Sequence, residues 1–375
     1  MIRVLQVISS LQTGGGVQTM LKNYYTYMDS LAFSTDFIVC GKDVGGMESW
    51  FKTRGAHIYH IPPRTQQPIE NICSLRCIIK EGHYDVLHCH QDYHGAIAVA
   101  MAKSCDIPVR IIHSHQAYPP ENAVKKMRRY AGSYRVMRDA TILAACGERA
   151  GAWLYGQNAI DSKQVVILRN AIDVPLFAFS YAARHRLRQE LGIYEETTVI
   201  GHAGRFTEQK NHALVLSIFA EFHRRRPDSV LILAGDGPLR LAIERQAVQL
   251  NIQKAVRFLG MRLDIPQLMS AMDVFLLPSR WEGLGIVAVE AQANGLPCIC
   301  SHKVPQEVKL TEQLHFMPAE FYMNPMAWCD VIERAVFNGR QDGYNAVCNA
   351  GYDIHREAKK LESLYFGGTL PSQEF

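Results

Sequence analysis

The feature that most constrains this chain is its rhythm: short apolar runs alternate with longer segments of helical period along most of its length. Such runs suit strands buried on both faces, and the intervening segments suit the crossover helices that parallel pairing requires. The pattern predicts βαβ units and an α/β fold. In the first half the predicted strands are Arg3–Ile8, Thr35–Val39, His57–His60, Val86–Cys89, Val109–His113 and Ala140–Ala145. In the second half they are Thr198–Ala203, Val230–Ala234, Val256–Leu259, Val274–Leu277 and Cys298–Cys300. At 375 residues the chain exceeds one ordinary core, which implies two domains of roughly 150–200 residues each. Each reads as a doubly wound, Rossmann-like sheet with ligand-binding loops at strand carboxyl ends. The seam is expected near Asn170–Ser180, where Pro175 interrupts, giving domains of 1–173 and 174–352. A last segment, 353–375, holds a helix-like stretch, His355 to Tyr365, expected to cross back to the first domain.

Composition narrows the class. Hydrophobic residues make up 48% and charged residues 20%, as in a soluble globular enzyme. A net charge of +4 gives no reason to expect nucleic acid as a partner. The apolar run Val4 to Ile8 is too short for a signal sequence, and no stretch approaches the ~20 apolar residues of a membrane span. The ten cysteines include two close pairs, Cys73/Cys77 and Cys298/Cys300, neither with zinc-ribbon spacing. Reduced thiols in a cytoplasmic protein are the expectation.

The most informative segment runs from Ser279 to Ala291, after a predicted strand and Pro278. Glu282 and Glu290 lie eight residues apart around a helix start, a separation of about 12 Å if the segment is helical throughout. That distance reaches two ends of a sugar nucleotide, the hexose and the ribose. Between them the backbone N–H groups of Leu284, Gly285 and Ile286 would meet a diphosphate at a helix N-terminus. Small Gly283 and Gly285 permit the close approach. An isolated pair of glutamates on a capped helix is usually just solvated. Here a second loop, Gly204 to Asn211, follows the first strand of the same half and carries Arg205 and Lys210. Two fixed cations there can hold a diphosphate and stabilise the charge that builds as it leaves.

Together these segments resemble the donor domain of glycosyltransferase family 4, the retaining enzymes of GT-B architecture. The landmarks run in order: Asn170 to Asp173, Gly204 to Lys210, Ala234 to Pro238, Phe258 to Gly260, Asp273 to Ser279, Glu282 to Glu290 and Ala293 to Pro297. One departure is Ala171, where the family commonly has glycine. The resemblance implies two Rossmann-like domains facing across a cleft that holds the donor. It implies that Arg205 and Lys210 bind the donor diphosphate, Glu282 the transferred hexose and Glu290 the ribose. Met261 and Arg262 fall where the family's nucleobase contacts lie. The implied reaction moves a hexose from a nucleotide-diphosphate donor, a UDP-sugar ahead of a GDP-sugar, to a saccharide or lipid-linked acceptor. The likeness to capsular and exopolysaccharide transferases places that reaction in surface polysaccharide biosynthesis, with the anomeric configuration kept. No metal or other cofactor is expected, in keeping with the absence of any Asp-x-Asp pair. A sugar-nucleotide epimerase or hydrolase, or a non-catalytic nucleotide-sugar binder, are the rival readings.

The first half matches more loosely. Gly14, Gly15 and Gly16 after the first strand resemble the family's glycine loop near donor phosphates. Read as a dinucleotide fingerprint they fail, because Asp36 precedes the second strand's apolar core instead of closing it. His88, His90, His94, His113 and His115 crowd this half, and His-x-His occurs twice. Without an acid cluster, hydrogen-bonded strand-end histidines are the simpler reading than a metal site. The resemblance places a histidine beside the donor sugar, with His113 the first assignment and His115 the competitor. Finally, Glu121 to Arg138 sets Lys125, Lys126, Arg128, Arg129, Arg135 and Arg138 against one acid. Val124, Met127, Tyr130, Tyr134 and Met137 recur among them at three- and four-residue spacing, a basic amphipathic helix. Peripheral contact with anionic membrane is one expectation for it; packing of the apolar stripe on the first domain is the other.

Overall fold

The structure is a computed structural model that describes residues 1–13, 15–115 and 122–367. The chain divides into two compact units, Met1–Ala171 together with the segment from Ile354 onward, and Ile172–Asp353. Pro175 does not simply interrupt the chain there. It stands in the first turn of a short helix, Val174–Phe177, where a missing N–H costs nothing.

The first unit is built on seven strands: β1 (Ile2–Ile8), β2 (Phe33–Cys40), β3 (Ile58–Ile61), β4 (Val86–Cys89), β5 (Val109–Ser114), β6 (Ile142–Ala145) and β7 (Val165–Ile167). All pair in parallel, in the order β3-β2-β1-β4-β5-β6-β7. The period of two sorts each strand cleanly. Val4, Phe37, Val86, Ile111 and Ala144 face a cluster completed by Met20, Tyr24, Leu361 and Tyr365. Leu5, Ile38, Leu87, Ile112 and Ala145 face the opposite cluster with Leu75, Val99 and Val136. The terminal helix Ile354–Tyr365 thus buries Leu361, Leu364 and Tyr365 against the first sheet.

The second unit carries β8 (Thr198–Ala203), β9 (Ser229–Ala234), β10 (Val256–Gly260), β11 (Val274–Leu277), β12 (Cys298–Ser301) and β13 (Leu314–Met317). These also pair in parallel, in the order β10-β9-β8-β11-β12-β13. β9, β11 and β12 are buried at every residue, which is why they read as unbroken apolar runs. In both sheets the strand order reverses beside the first strand, between β1 and β4 and between β8 and β11. Loops leaving the carboxyl ends at such a switch point diverge and leave room for a ligand.

A buried ion pair fixes the opposite end of the second switch point. Arg188 is almost wholly buried and donates to Asp273 Oδ2 at 2.7 Å, while the same oxygen accepts from the Val199 amide at 2.7 Å. Asp273 immediately precedes β11 and Val199 lies in β8, so one carboxylate ties the two central strands together. The Nε and Nη1 protons are taken by the carbonyls of Ala271, Tyr194, Glu195 and Thr197. Removing one charge of such a pair strands the other. Asp273→Asn should therefore lower stability in urea by about 3 kcal/mol. Glu195→Gln, which removes an exposed partner of Arg184, should cost less than about 1 kcal/mol. Equal losses would show that the buried pair contributes no more than a surface one.

Candidate functional site

The loops after β8 and β11 meet at the carboxyl end of the second sheet. The first passes Gly204 and Arg205 into a single 3₁₀ turn, Glu208–Lys210, and then the helix His212–Arg225. The second passes Pro278 and Glu282 into the helix Ile286–Ala293. A backbone bond joins them, from the Arg280 amide to the Gln209 carbonyl at 2.8 Å. Lys210 Nζ lies 2.7 Å from Glu282 Oε1, which also accepts from Ser279 Oγ at 2.6 Å, and Gln209 Nε2 reaches Oε2 at 3.2 Å. Two segments that look independent in the sequence therefore form one charged unit. Ser279 and Gln209 are members that the sequence did not single out. Lysine has three donors, so Lys210 keeps proton-bearing directions beyond the one given to Glu282.

Glycine is required at two points. At Gly235, where φ is +132°, a side chain would sit 2.1 Å from the Gly204 carbonyl oxygen, so the β8 and β9 loops touch only because no Cβ intervenes. Gly285 caps the Ile286–Ala293 helix with φ +84°, a left-handed conformation that other residues adopt at a cost. The amides of the first helical turn, starting at Ile286, have no carbonyl four residues back within the helix. Leu284 is buried in the core beneath them. Arg205 is exposed and has no ion-pair partner among the described residues. Met261 and Arg262 follow β10 at the same end of the sheet. Met261 is exposed, whereas Arg262 is held by Asp264 at 2.7 Å and Glu190 at 3.3 Å.

Glu290 differs from Glu282. It has no side-chain hydrogen bond among the described residues, and burial pushes its carboxyl up to about 7, with Lys210 pulling the other way.

In the first unit, Gly15 caps the helix Gly16–Tyr27 in an extended conformation, and Gly14 lies outside the described residues. Gln18 Nε2 closes this loop on the Ser10 carbonyl at 2.7 Å. The histidines converge on one face of β4 and β5. His88 Nε2 and His113 Nδ1 are 3.2 Å apart, and His90 Nδ1 and His115 Nε2 are 2.8 Å apart. His113 lies inside β5 and is 0% exposed, whereas His115 is the first residue beyond the strand and 6% exposed. Both rings are buried, and each keeps one ring nitrogen without a partner; His115 stands nearer the strand end. A strand-interior ring is walled in, and the strand end is where ligands reach α/β sheets. His88, His90 and His113 have ring nitrogens within 4.8 Å of one another. A cation there would have to displace the hydrogen bonds these rings already make.

Against this geometry stand the relatives. Residues 15–171 match the Glycosyl transferase 4-like domain and residues 183–313 match Glycosyl transferases group 1. EpsF of Bacillus subtilis (strain 168), named provisionally as a glycosyltransferase, is 34% identical over 371 residues, covering 97% of this chain and 96% of EpsF. The chain belongs to the glycosyltransferases. An Escherichia coli relative named UDP-Gal:alpha-D-GlcNAc-diphosphoundecaprenol alpha-1,3-galactosyltransferase is 28% identical over 246 residues, 62% of each chain. Among solved structures, HepE of Anabaena in complex with UDP superposes with a TM-score of 0.78 at 19% identity, over 98% of this chain and all of HepE. WaaG, a transferase of lipopolysaccharide biosynthesis, gives 0.70 at 17% identity, over 97% of this chain and all of WaaG. These likenesses establish the GT-B fold class for the transferase.

The unusual carboxyl at Glu290 gives a test that needs no ligand. Below its ordinary value of 4.5 the group is protonated whether folded or unfolded. As pH rises toward 7 the unfolded chain ionises while the fold retains the proton, so stability is lost across that window. Glu290→Gln, neutral throughout, should gain on the parent by up to about 3 kcal/mol between pH 5 and pH 8 in urea unfolding. A difference that does not change with pH would mean the carboxyl titrates normally.

Proposed function

We propose that this transferase moves a hexose from a UDP-sugar to a saccharide or lipid-linked acceptor, keeping the anomeric configuration, in the assembly of a surface polysaccharide. The observation that carries the reading is the convergence of Lys210, Glu282, Glu290 and a glycine-capped helix start at the β8/β11 switch point. Glu282, oriented by Lys210, Ser279 and Gln209, addresses the hexose. Glu290, an acceptor short of donors, takes the ribose hydroxyls. Arg205, Lys210 and the amides at Leu284, Gly285 and Ile286 take the diphosphate. Met261 offers an apolar surface for the base, with Arg262 fixed beside it. For the first unit, we assign Gly15 and Gly16 to its glycine loop and His115, at the end of β5, in place of His113, as its reacting-centre ring. Support for the donor comes from the E. coli relative's name and from HepE's complexes with UDP and UDP-glucose. Support for the acceptor class comes from the diphosphoundecaprenol in that same name and from the likeness to EpsF.

The reading includes stabilisation of the departing diphosphate by these cations and amides with no metal ion. Arg205→Ala and Lys210→Ala should each lower transfer from the preferred UDP-sugar by about 10²–10³-fold, and the parent should keep its activity in excess chelator. Loss in chelator that divalent metal restores would overturn this part.

We further propose that the enzyme works at an anionic membrane surface. No helix among the described residues is long and apolar enough to cross a membrane, so any contact is peripheral. The helix Ala123–Asp139 does not pack its stripe on the first unit as the alternative required. Val124, Met127, Tyr130 and Tyr134 are 55–70% exposed, and only Met137 of the stripe packs against the core. Lys125, Lys126 and Arg128 are exposed beside them. Such a helix lays its apolar residues among lipid chains and its cations among headgroups, at about 1 kcal/mol per basic residue. In flotation with liposomes, binding should need anionic lipid and weaken with salt. It should fall when Lys125, Lys126 and Arg128 become Ser, or when Met127 and Tyr134 become Ser. Flotation unchanged in both variants would remove this helix as the contact.

A further inference from the structure

The four crowded histidines of the first unit form part of a longer row. His115 Nε2 meets His90 Nδ1 at 2.8 Å, and His90 Nε2 meets Gln6 Oε1 at 2.8 Å. Gln6 Nε2 donates to Tyr365 Oη at 2.9 Å, Tyr365 Oη meets His88 Nδ1 at 2.8 Å, and His88 Nε2 meets His113 Nδ1 at 3.2 Å. Every member is buried. Burial, together with the neighbouring rings, holds His88, His90 and His113 well below the usual imidazole range, and burial takes His115 down to about 3. Each ring is therefore neutral near pH 7, with one donor nitrogen and one acceptor.

That count leaves two arrangements in which the Tyr365 hydroxyl proton is used within the row, because each proton placed then decides the next. If the Gln6 oxygen faces His90, then His90 carries its proton on Nε2 and accepts on Nδ1, so His115 must donate from Nε2. On the other side the Gln6 amide donates to Tyr365, whose hydroxyl donates to His88 Nδ1. His88 then donates from Nε2, and His113 accepts on Nδ1 and bears its proton on Nε2. If the amide is turned over, every bond reverses and all four rings carry the proton on Nδ1. The amide at the middle of the row chooses between them. The Gln6 amide turns its oxygen to His90 Nε2 and its nitrogen to Tyr365 Oη, which is the first arrangement. The first arrangement also leaves His115 Nδ1 as a bare acceptor, buried and without a partner.

We infer that Gln6 and Tyr365 are positioning residues: through this directed row they hold the His115 proton on Nε2 and present its Nδ1 at the carboxyl end of β5 as an acceptor for a sugar hydroxyl. The sugar rests on the transfer reading above; the proton arrangement does not. The terminal helix thereby has a chemical task as well as a packing one, since it supplies the hydroxyl that links the two imidazole pairs. A hydroxyl donating to His115 Nδ1 extends the row without reversing any bond in it.

The test is a long-range ¹H–¹⁵N correlation spectrum of the full chain labelled in histidine, with each ring assigned by substitution. The parent should show His88, His90, His113 and His115 all protonated on Nε2. In Tyr365→Phe the Gln6 amide loses its acceptor and is free to turn, so His90 and His115 should show both tautomers. With the sugar nucleotide that the parent turns over, kcat should fall about 10-fold or more while KM stays within about twofold. If Tyr365→Phe does not fold by near-ultraviolet circular dichroism, Gln6→Met is read in the same way and should also leave His115 mixed. A parent His115 protonated on Nδ1 overturns the inference, as does a folded variant in which His115 keeps one tautomer. The spectrum needs no substrate. Predicted tautomers in a protein that transfers no sugar would sink the proposed function and leave the positioning intact.

Discussion

The parallel pairing of β8 with β11 is the constraint on which the rest of the donor-type site depends. These strands are separated by two other strands in sequence yet lie side by side. Their adjacency alone makes the loop bearing Lys210 and the loop bearing Glu282 neighbours. The Asp273 carboxylate holds this junction from below, bonded at once to the Val199 amide and to the buried Arg188. From above, the Arg280–Gln209 backbone bond and the Lys210–Glu282 pair hold it again. A charged site clamped at both ends of two buried strands is preorganised: its polar groups need little reorientation when charge develops nearby.

How much of this was legible in the sequence depends on how far apart the interacting residues lie. Central strands such as Val86–Cys89, Thr198–Ala203 and Val274–Leu277 were readable to the residue because burial on both faces leaves a run that is mostly apolar. The edge strands Val165–Ile167 and Leu314–Met317 were not. They are short, and Leu314–Met317 mixes buried with exposed positions, so neither carries a run long enough to stand out. The glycine at position 285 and the glutamates at 282 and 290 were readable because their spacing is local. The Lys210–Glu282 bond was not, since a contact 72 residues apart leaves no periodic trace. Gln6 and Tyr365, 359 positions apart, are the extreme case. The one available signal was the period of two in His88/His90 and His113/His115, which puts all four rings on one face of adjoining strands. It identified a cluster but not the residues completing it.

Both units break the rule that buried faces should be apolar, and both do so beside the first strand of the sheet. In the first unit the break is satisfied internally: neutral rings, an amide and a phenol give and accept in sequence, and the shortfalls lie at the ends of the row. In the second it is satisfied by charge, with Lys210 set against Glu282. Such local conflicts persist where function requires them and the surrounding core can bear the loss. Each sheet has a fully apolar cluster on either side of its strands that can do so.

The two glutamates show how one site separates acids by environment. Glu282 is met by a lysine, a serine and a glutamine, so its acceptor capacity is largely used and its charge is offset. Glu290 has no such donors, and burial keeps its proton on to about pH 7. An acid in that position is costly to ionise alone and becomes easier to ionise when a ligand brings hydroxyl donors to it. A diphosphate would do the opposite, since added negative charge opposes ionisation. Under the proposed reading, Glu290 would take a neutral polyhydroxylated group, while Lys210, Arg205 and the helix amides would take the anion. An anionic centre flanked by hydroxyl-bearing rings would suit both, in keeping with the sugar-nucleotide donor proposed above.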